Sequence, residues 1–198
     1  MASIFNFLFL VVWSITFSIL YSLSVRPAKD ELKNKAQPYR RARLYRKGAS
    51  VSMSLAGIHF IAYRWLPVDF DPFPLRYQWP LVVRIAVALS IGIPAALLSK
   101  KALKDAGKET LSPDKNHVMY GGVYEKIRHP QAVGELATWF TIALLLNSPL
   151  LTFVSCFYVP IWILWCFLEE QDLVIRFGDS YKEYQKRTGM FFPKIRDK

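Results

Sequence analysis

Two pairs of ionisable residues flank the longest uncharged run of the chain. Arg128 and His129 precede the run from Leu136 to Leu168, and Glu169 and Glu170 follow it. A carboxylate at the end of an apolar helix is costly unless it is paired or solvated. The four residues therefore allow two interpretations. They form either an ion cluster that orients the helices, or a pocket in which carboxylates bind the ammonium group of a zwitterionic ligand and cationic or backbone donors bind its carboxylate.

The uncharged run is far longer than one membrane helix requires. It contains the turn signal "NSP" at 147–149, so the pattern predicts a helical hairpin whose first arm begins near Pro130. Pro160 bends the second arm without ending it, because neighbouring helices can satisfy the freed carbonyl. One long kinked helix is the alternative. A hairpin returns the chain to the same face, so its two charged flanks should meet.

Three further apolar segments precede the hairpin, at Ile4–Val25, Ala49–Leu66 and Pro80–Ser99. The first is long enough to cross a hydrocarbon core of roughly 30 Å, and no basic residue precedes it, so it is interpreted as an uncleaved anchor and not as a signal peptide. The predicted fold class is an all-α membrane protein with about five transmembrane helices, a helical hairpin and a cytoplasmic C-terminal helical tail that forms the cofactor pocket.

The composition agrees with a membrane protein, since 53% of the 198 residues are hydrophobic although the formal charge is +11. Basic residues concentrate between Arg26 and Lys47 and again at Lys100, Lys101 and Lys104. The positive-inside rule places these segments in the cytoplasm, with the N-terminus outside and the C-terminus inside. The basic residues lie next to the ends of predicted membrane helices, where they can contact anionic lipid headgroups. The net charge is thereby explained, so membrane lipids are expected partners and nucleic acid is not.

The sequence lacks the motifs of metal sites and of the soluble cofactor-binding folds. Cys156 and Cys166 both fall in the last apolar segment, and the three histidines are scattered over unrelated segments. There is no HExxH or CxxC pair, no Walker loop, no GxSxG and no GxGxxG after a strand. No bound metal is expected.

The hairpin flanks carry a set of motifs in a fixed order: "GVYEKIRHPQAVGE" before it, then "EE", then "FGDSYKEYQKRTGMFFPKI". Between Asn116 and Ile195 the chain closely resembles the isoprenylcysteine carboxyl methyltransferase family of integral-membrane methyltransferases. The resemblance implies that S-adenosylmethionine binds in a cytoplasmic pocket built from these segments. The wider group includes phospholipid N-methyltransferases, and the C-terminal parts of some membrane sterol reductases look similar.

Carried over by position, the resemblance implies a cofactor site lined by Asn116, His117, Val118, Met119, Tyr124, His129, Pro130, Gln131, Ala132 and Glu169. Glu169 would bind the ammonium group of the cofactor, and backbone amides beside His129 would bind its carboxylate. Tyr124 would pack on the adenine or face the sulfonium. The predicted catalytic residues are Arg128, His129 and Glu170, of which the last two are candidate bases for an acceptor that must lose a proton.

The chain departs from the family motif at two positions. Ala132 replaces a tyrosine, and Trp165 replaces an arginine that the family uses on the carboxylate of the acceptor. Trp165 lies one helical turn before Glu169 and is the predicted substrate contact. An indole there makes an apolar wall, so we expect poor activity on prenylcysteine carboxylates and better activity on a neutral or amine-bearing lipophile.

The predicted function is methyl transfer from S-adenosylmethionine to a lipophilic or prenylated acceptor at the cytoplasmic membrane face. The membrane would be the plasma membrane in a prokaryote and the endoplasmic reticulum in a eukaryote. Residues 1–105 form N-terminal helices with a basic loop and 106–198 the methyltransferase core, in which a tail helix from Asp172 onward covers the pocket with Tyr181 and Tyr184. The alternatives are a sterol-type membrane reductase using a pyridine nucleotide and a non-catalytic lipid-binding membrane protein.

Overall fold

A computed structural model describes residues 1–110, 112–115 and 121–194. Helices account for 75% of it and the described residues contain no strand, so the predicted all-α class is confirmed. Two short 3-10 turns lie at Gly107–Thr110 and Gly122–Glu125. The α-helices are α1 Ala2–Ser24, α2 Pro27–Leu32, α3 Pro38–Ala62, α4 Leu81–Ala106, α5 Pro130–Leu145, α6 Pro149–Phe177 and α7 Asp179–Arg187.

Three of these helices, α1, α4 and α6, are long and apolar enough to cross a membrane, by length and composition. The other two predicted spans correspond to α3 and α5. The helix α3 begins with a run of arginines, and α5 has 16 residues, which at about 1.5 Å per residue is short of a hydrocarbon core. The expectation of five spans remains a prediction.

The hairpin is formed by α5 and α6, and the alternative of one kinked helix is wrong. Asn147 adopts a left-handed conformation with φ of 61° between the two helices. Its side-chain Oδ1 accepts a hydrogen bond from the Tyr77 backbone N at 3.1 Å. Ser148 caps α6 by accepting from Leu151 N at 3.1 Å. As predicted, α5 begins at Pro130 and α6 continues through Pro160.

Several predicted boundaries are wrong because hydropathy does not mark where a helix ends in water. The third helix begins at Pro38 instead of Ala49, since proline suits the first helical turn and the basic residues that follow are good helix formers. The fourth continues past Ser99 to Ala106. No new helix begins at Asp172, because α6 runs on to Phe177 before α7 starts.

The helices pack in neighbouring pairs: α1 along α3, α4 along α5, and α5 against α6. Small residues let α4 and α5 approach closely. A Cβ on Gly134 would lie 2.0 Å from Ser99 Oγ, and one on Gly92 would lie 2.6 Å from Thr141 Cγ2. This packing brings the start of α5 and the end of α6 to one end of the bundle, together with the end of α1 and the first part of α3.

Candidate functional site

A cavity of about 160 Å³ lies at that end of the bundle, between α1, α3, α5 and α6. One water needs roughly 10 to 15 Å³ of such volume, so the cavity can hold part of an organic ligand. One part of its wall is apolar and includes Phe17, Met53, Trp162 and Trp165. The other part is polar and includes Arg46, Tyr124, His129, Gln131, Glu135 and Glu169.

The two flanks of the hairpin meet beside this cavity, as the sequence predicts. The backbone N–H of Arg128 donates to Gly189 O at 2.9 Å, and that of His129 donates to Met190 O at 3.1 Å. The Tyr184 hydroxyl donates to the carbonyl of Tyr124. The segment before α5 is therefore fixed against the segment after α7.

Arg128 and Glu170 form a closed ion pair. Arg128 Nε lies 2.6 Å from Glu170 Oε1, and their side chains are only 11% and 8% exposed. Arg128 Nη1 also donates to the carbonyls of Gln185 and Thr188, and Gln185 Nε2 donates to Glu170 Oε2 at 2.7 Å. Protein groups thus satisfy both charges, and the pair joins α6 to the end of α7.

His129 lies between the two glutamates. Its Nε2 is 3.0 Å from Glu170 Oε1, and its Nδ1 is 3.5 Å from Glu169 Oε2. Burial alone would lower the pKa of His129. Hydrogen bonds to Cys166, Glu169 and Glu170 oppose that effect and hold the pKa well above its ordinary value of 6.5. Because both ring nitrogens face carboxylate oxygens, which only accept hydrogen bonds, the protonated imidazole is the form that satisfies these contacts.

Glu169 faces the cavity, unlike its neighbour in sequence. Its side chain is 35% exposed, and the cavity wall around it includes Gln131 and Ala132 from the first turn of α5. Backbone amides in a first helical turn have no intrahelical partner, and Pro130 at the first position has no N–H to offer. A carboxylate and a helix start thus face the same space, which suits a ligand with both an ammonium and a carboxylate group.

Tyrosines surround the polar part of the cavity. The Tyr124 hydroxyl donates to Gln131 Oε1 at 3.2 Å, and burial raises the pKa of Tyr124, so the phenol stays neutral. Tyr181 and Tyr184 of α7 line the same cavity, with ring centres 5.5 Å apart. Burial likewise raises the pKa of Tyr184 to about 12.

Trp165 lies in the apolar part of the wall and is 3% exposed. Its ring centre is 4.5 Å from that of Trp162 and 5.0 Å from that of Phe17. Its only polar atom, Nε1, donates to Ser22 Oγ at 2.9 Å. Trp165 therefore presents hydrocarbon surface toward the cavity.

Arg46 is one of the cavity residues that the sequence reasoning missed. Its Nε donates to Ser24 Oγ and its Nη1 donates to Thr110 O, both at 2.9 Å, and its guanidinium lies 4.7 Å from the centre of the Tyr21 ring. The sequence did contain a signal for this residue. The residues spaced three and four apart along one face of α3 are apolar except for Arg46. That series is Ala42, Arg46, Ala49, Met53, Ala56 and Phe60.

Four predicted cofactor residues, Asn116, His117, Val118 and Met119, lie outside the described residues, so their role stays a prediction. Within the part of the chain that the structure describes, no group of three His, Cys, Asp or Glu side chains is arranged to hold a metal ion. The structure brings together the other predicted site residues that flank the hairpin, as the motif order implies. They are Arg128, His129, Pro130, Gln131, Ala132, Glu169 and Glu170.

Three apolar helices long enough to cross a membrane, together with a polar cavity at one end of the bundle, are consistent with an integral membrane protein. The family model for phospholipid methyltransferase matches residues 83–180. The chain belongs, through this region, to that family of membrane methyltransferases, and the predicted recognition is confirmed. The matched region runs from the first turn of α4 into α7 and includes both flanks of the hairpin.

Curated relatives are methanethiol S-methyltransferases. The chain is 37% identical to the protein from Pseudomonas deceptionensis over 75 residues, which are 37% of this chain and 28% of that protein. Against methanethiol S-methyltransferases 1 and 2 of Bradyrhizobium diazoefficiens the identities are 33% and 31%, over 36% and 37% of this chain. The matches cover 24% and 27% of those two proteins, so the chain spans about a quarter of the length of these relatives.

Proposed function

We propose that this protein transfers a methyl group from S-adenosylmethionine to a lipophilic acceptor at the cytoplasmic face of the membrane. One observation carries the proposal: the family match covers the two segments whose charged side chains meet at the cavity. The donor set fits the cofactor, since Glu169 can bind its ammonium group and the first turn of α5 can donate to its carboxylate. Tyr124 supplies an aromatic face for the adenine or the sulfonium.

The charged residues have different roles in binding the cofactor. Glu169 contacts the ammonium group, and protonated His129 holds the Glu169 carboxylate in place. Arg128 and Glu170 act as positioning residues, because the protein already satisfies both of their charges. When bound, S-adenosylmethionine supplies an electrophilic methyl group whose transfer removes the sulfonium charge. The protein's main tasks are then alignment and the exclusion of water.

The apolar part of the wall determines the acceptor. Phe17, Met53, Trp162 and Trp165 offer hydrocarbon and aromatic surface, which suits a lipophile whose reactive group is neutral or an amine. Trp165 cannot pair with a carboxylate, so prenylcysteine should be a poor acceptor. A small thiol is a second candidate, since the named relatives are methanethiol S-methyltransferases.

A methyl-transfer assay with radiolabelled cofactor tests the proposal on the purified protein in detergent. The acceptors are membrane extracts, a synthetic prenylcysteine and methanethiol, each with the Glu169→Gln variant as control. We expect labelled product from a membrane lipophile or from the thiol, and little from prenylcysteine. Efficient methylation of prenylcysteine by the unmodified protein would show that another group binds the acceptor carboxylate.

Titration with cofactors separates the proposal from its rivals. Saturable binding of a pyridine nucleotide, with no binding of S-adenosylmethionine, would indicate a membrane reductase. Binding of neither, with an intact helical circular dichroism spectrum, would indicate a non-catalytic lipid-binding protein.

The orientation of the chain is tested by labelling Ser3→Cys and Lys198→Cys in sealed vesicles. The background variant carries Cys156→Ser, because Cys156 is exposed. We expect the two ends to be labelled from opposite sides of the membrane.

A further inference from the structure

Arg46 and Glu169 are opposite charges that face one cavity without pairing with each other. Both line the cavity, and Arg46 is close enough to act on Glu169 electrostatically. They are not among the ion pairs of the described residues, all of which have N–O distances within 4.0 Å. The cavity that both residues line is therefore the space in which one ligand could contact the guanidinium and the carboxylate.

Arg46 forms no ion pair within 4.0 Å with a described carboxylate, although Glu135 and Glu169 line the same cavity and both interact with it electrostatically. Nε and Nη1 donate to a hydroxyl and a carbonyl, which are neutral. The side chain is half-buried, and a partly desolvated charge is costly without an anionic partner. Nη2 makes no hydrogen bond to a described residue, and a guanidinium edge is well matched to the two oxygens of a carboxylate.

We infer that Arg46 binds the α-carboxylate of the cofactor while Glu169 binds its α-ammonium group. The two groups are attached to the same carbon atom, so their partners must face one small space from different sides. Arg46 on α3 and Glu169 on α6 meet this requirement. The assignment rests on the proposed function, and it adds a charged contact to the backbone amides of α5.

Binding measurements on the detergent-solubilised full chain test the assignment without requiring turnover. The ligands are S-adenosylhomocysteine, which has both the ammonium and the carboxylate, and decarboxylated S-adenosylmethionine, which lacks the carboxylate. We expect Arg46→Gln to weaken binding of S-adenosylhomocysteine at least about tenfold, the usual effect of losing a hydrogen bond to a charged group. Binding of the decarboxylated compound should change less than about twofold, because that ligand never used the contact.

Arg43→Gln is the matched control, since Arg43 lies on the same helix and donates to Pro113 O at 3.3 Å but does not line the cavity. It should leave both affinities unchanged. Arg46→Lys provides a second variant if Arg46→Gln does not fold. Lysine keeps the charge but loses the planar fork, so we expect a smaller loss that is again confined to the ligand with a carboxylate.

Two outcomes overturn the assignment alone: unchanged binding of S-adenosylhomocysteine by Arg46→Gln, or an equal loss for both ligands. If the unmodified protein binds neither ligand, the proposed function fails and this assignment fails with it.

Discussion

Two arginine and glutamate pairs lie close together in this protein and differ in whether they are closed. Arg128 and Glu170 are in contact at 2.6 Å and buried, whereas Arg46 and Glu169 face a cavity from separate helices. The two glutamates are consecutive on α6, and successive residues of a helix point about 100° apart. Adjacent carboxylates can therefore serve different purposes, one joining helices and the other left available to a ligand.

The largest expected effect comes from breaking the closed pair. Arg128→Met should lower the free energy of unfolding by about 3 kcal/mol, because the buried carboxylate of Glu170 keeps only His129 and Gln185 as partners. Thermal or denaturant unfolding in detergent measures the loss. Asp179→Asn is the control, since its ion pair with Lys182 is exposed and such pairs contribute little. A loss no larger than that of the control would contradict a structural role for the closed pair.

Glu169→Gln tests the second pair, Arg46 and Glu169, which faces the cavity. It should weaken cofactor binding by about 1.5 to 3 kcal/mol, the usual value for a hydrogen bond to a charged group, with little change in the unfolding temperature. Glu183→Gln, on the exposed face of α7, is the matched control. Full cofactor affinity in the Glu169 variant would show that the ammonium group binds elsewhere.

The pH dependence of stability tests His129, which touches both glutamates. Its folded-state pKa is raised above the unfolded value of 6.5, so the folded protein holds this proton more tightly. The resulting stabilisation is fully present below pH 6.5 and is lost as the pH rises through the folded pKa. We expect the unfolding temperature of the unmodified protein to fall toward that of His129→Gln as the medium becomes alkaline. Parallel curves for the two proteins would refute this.

The smallest effect is expected at Trp165, which belongs to neither charged pair. Trp165→Phe removes the hydrogen bond to Ser22 and keeps an aromatic ring in place, so stability should fall by about 1 kcal/mol. Cofactor affinity should not change, since the indole lines the apolar part of the wall. Calorimetric titration and thermal unfolding report the two quantities. Reduced cofactor affinity would mean that the ligand extends into the apolar part.

Much of the fold can be predicted because long uncharged runs have few structural solutions. The hairpin follows from the length of its uncharged run and from the turn at Asn147, and the meeting of its flanks follows from the hairpin. The start of α3 at Pro38 was missed because the arginines after it lower the hydropathy of a segment that is nonetheless helical. Hydropathy measures affinity for lipid, and a helix can continue beyond the lipid.

The site is predicted only where motif residues are close in sequence to the hairpin. His129 and Glu169 were identified because they flank it. Arg46 comes from a distant helix, and only the register of α3 against α1 brings it to Ser24 and the cavity. That register depends on packing along the whole of α3, which a local pattern does not specify.

The uncharged turn of the hairpin has a consequence for how the chain enters the membrane during synthesis. Leu146, Asn147 and Ser148 contain no ionisable group, and the polar side chains of the last two are used by Tyr77 and Leu151. Carrying this turn across the lipid costs no transfer of charge. We therefore expect α5 and α6 to insert together as one unit while their charged flanks stay on the side of the ribosome. In the predicted topology, the charged residues that flank the hairpin would then reach the cavity without crossing the bilayer.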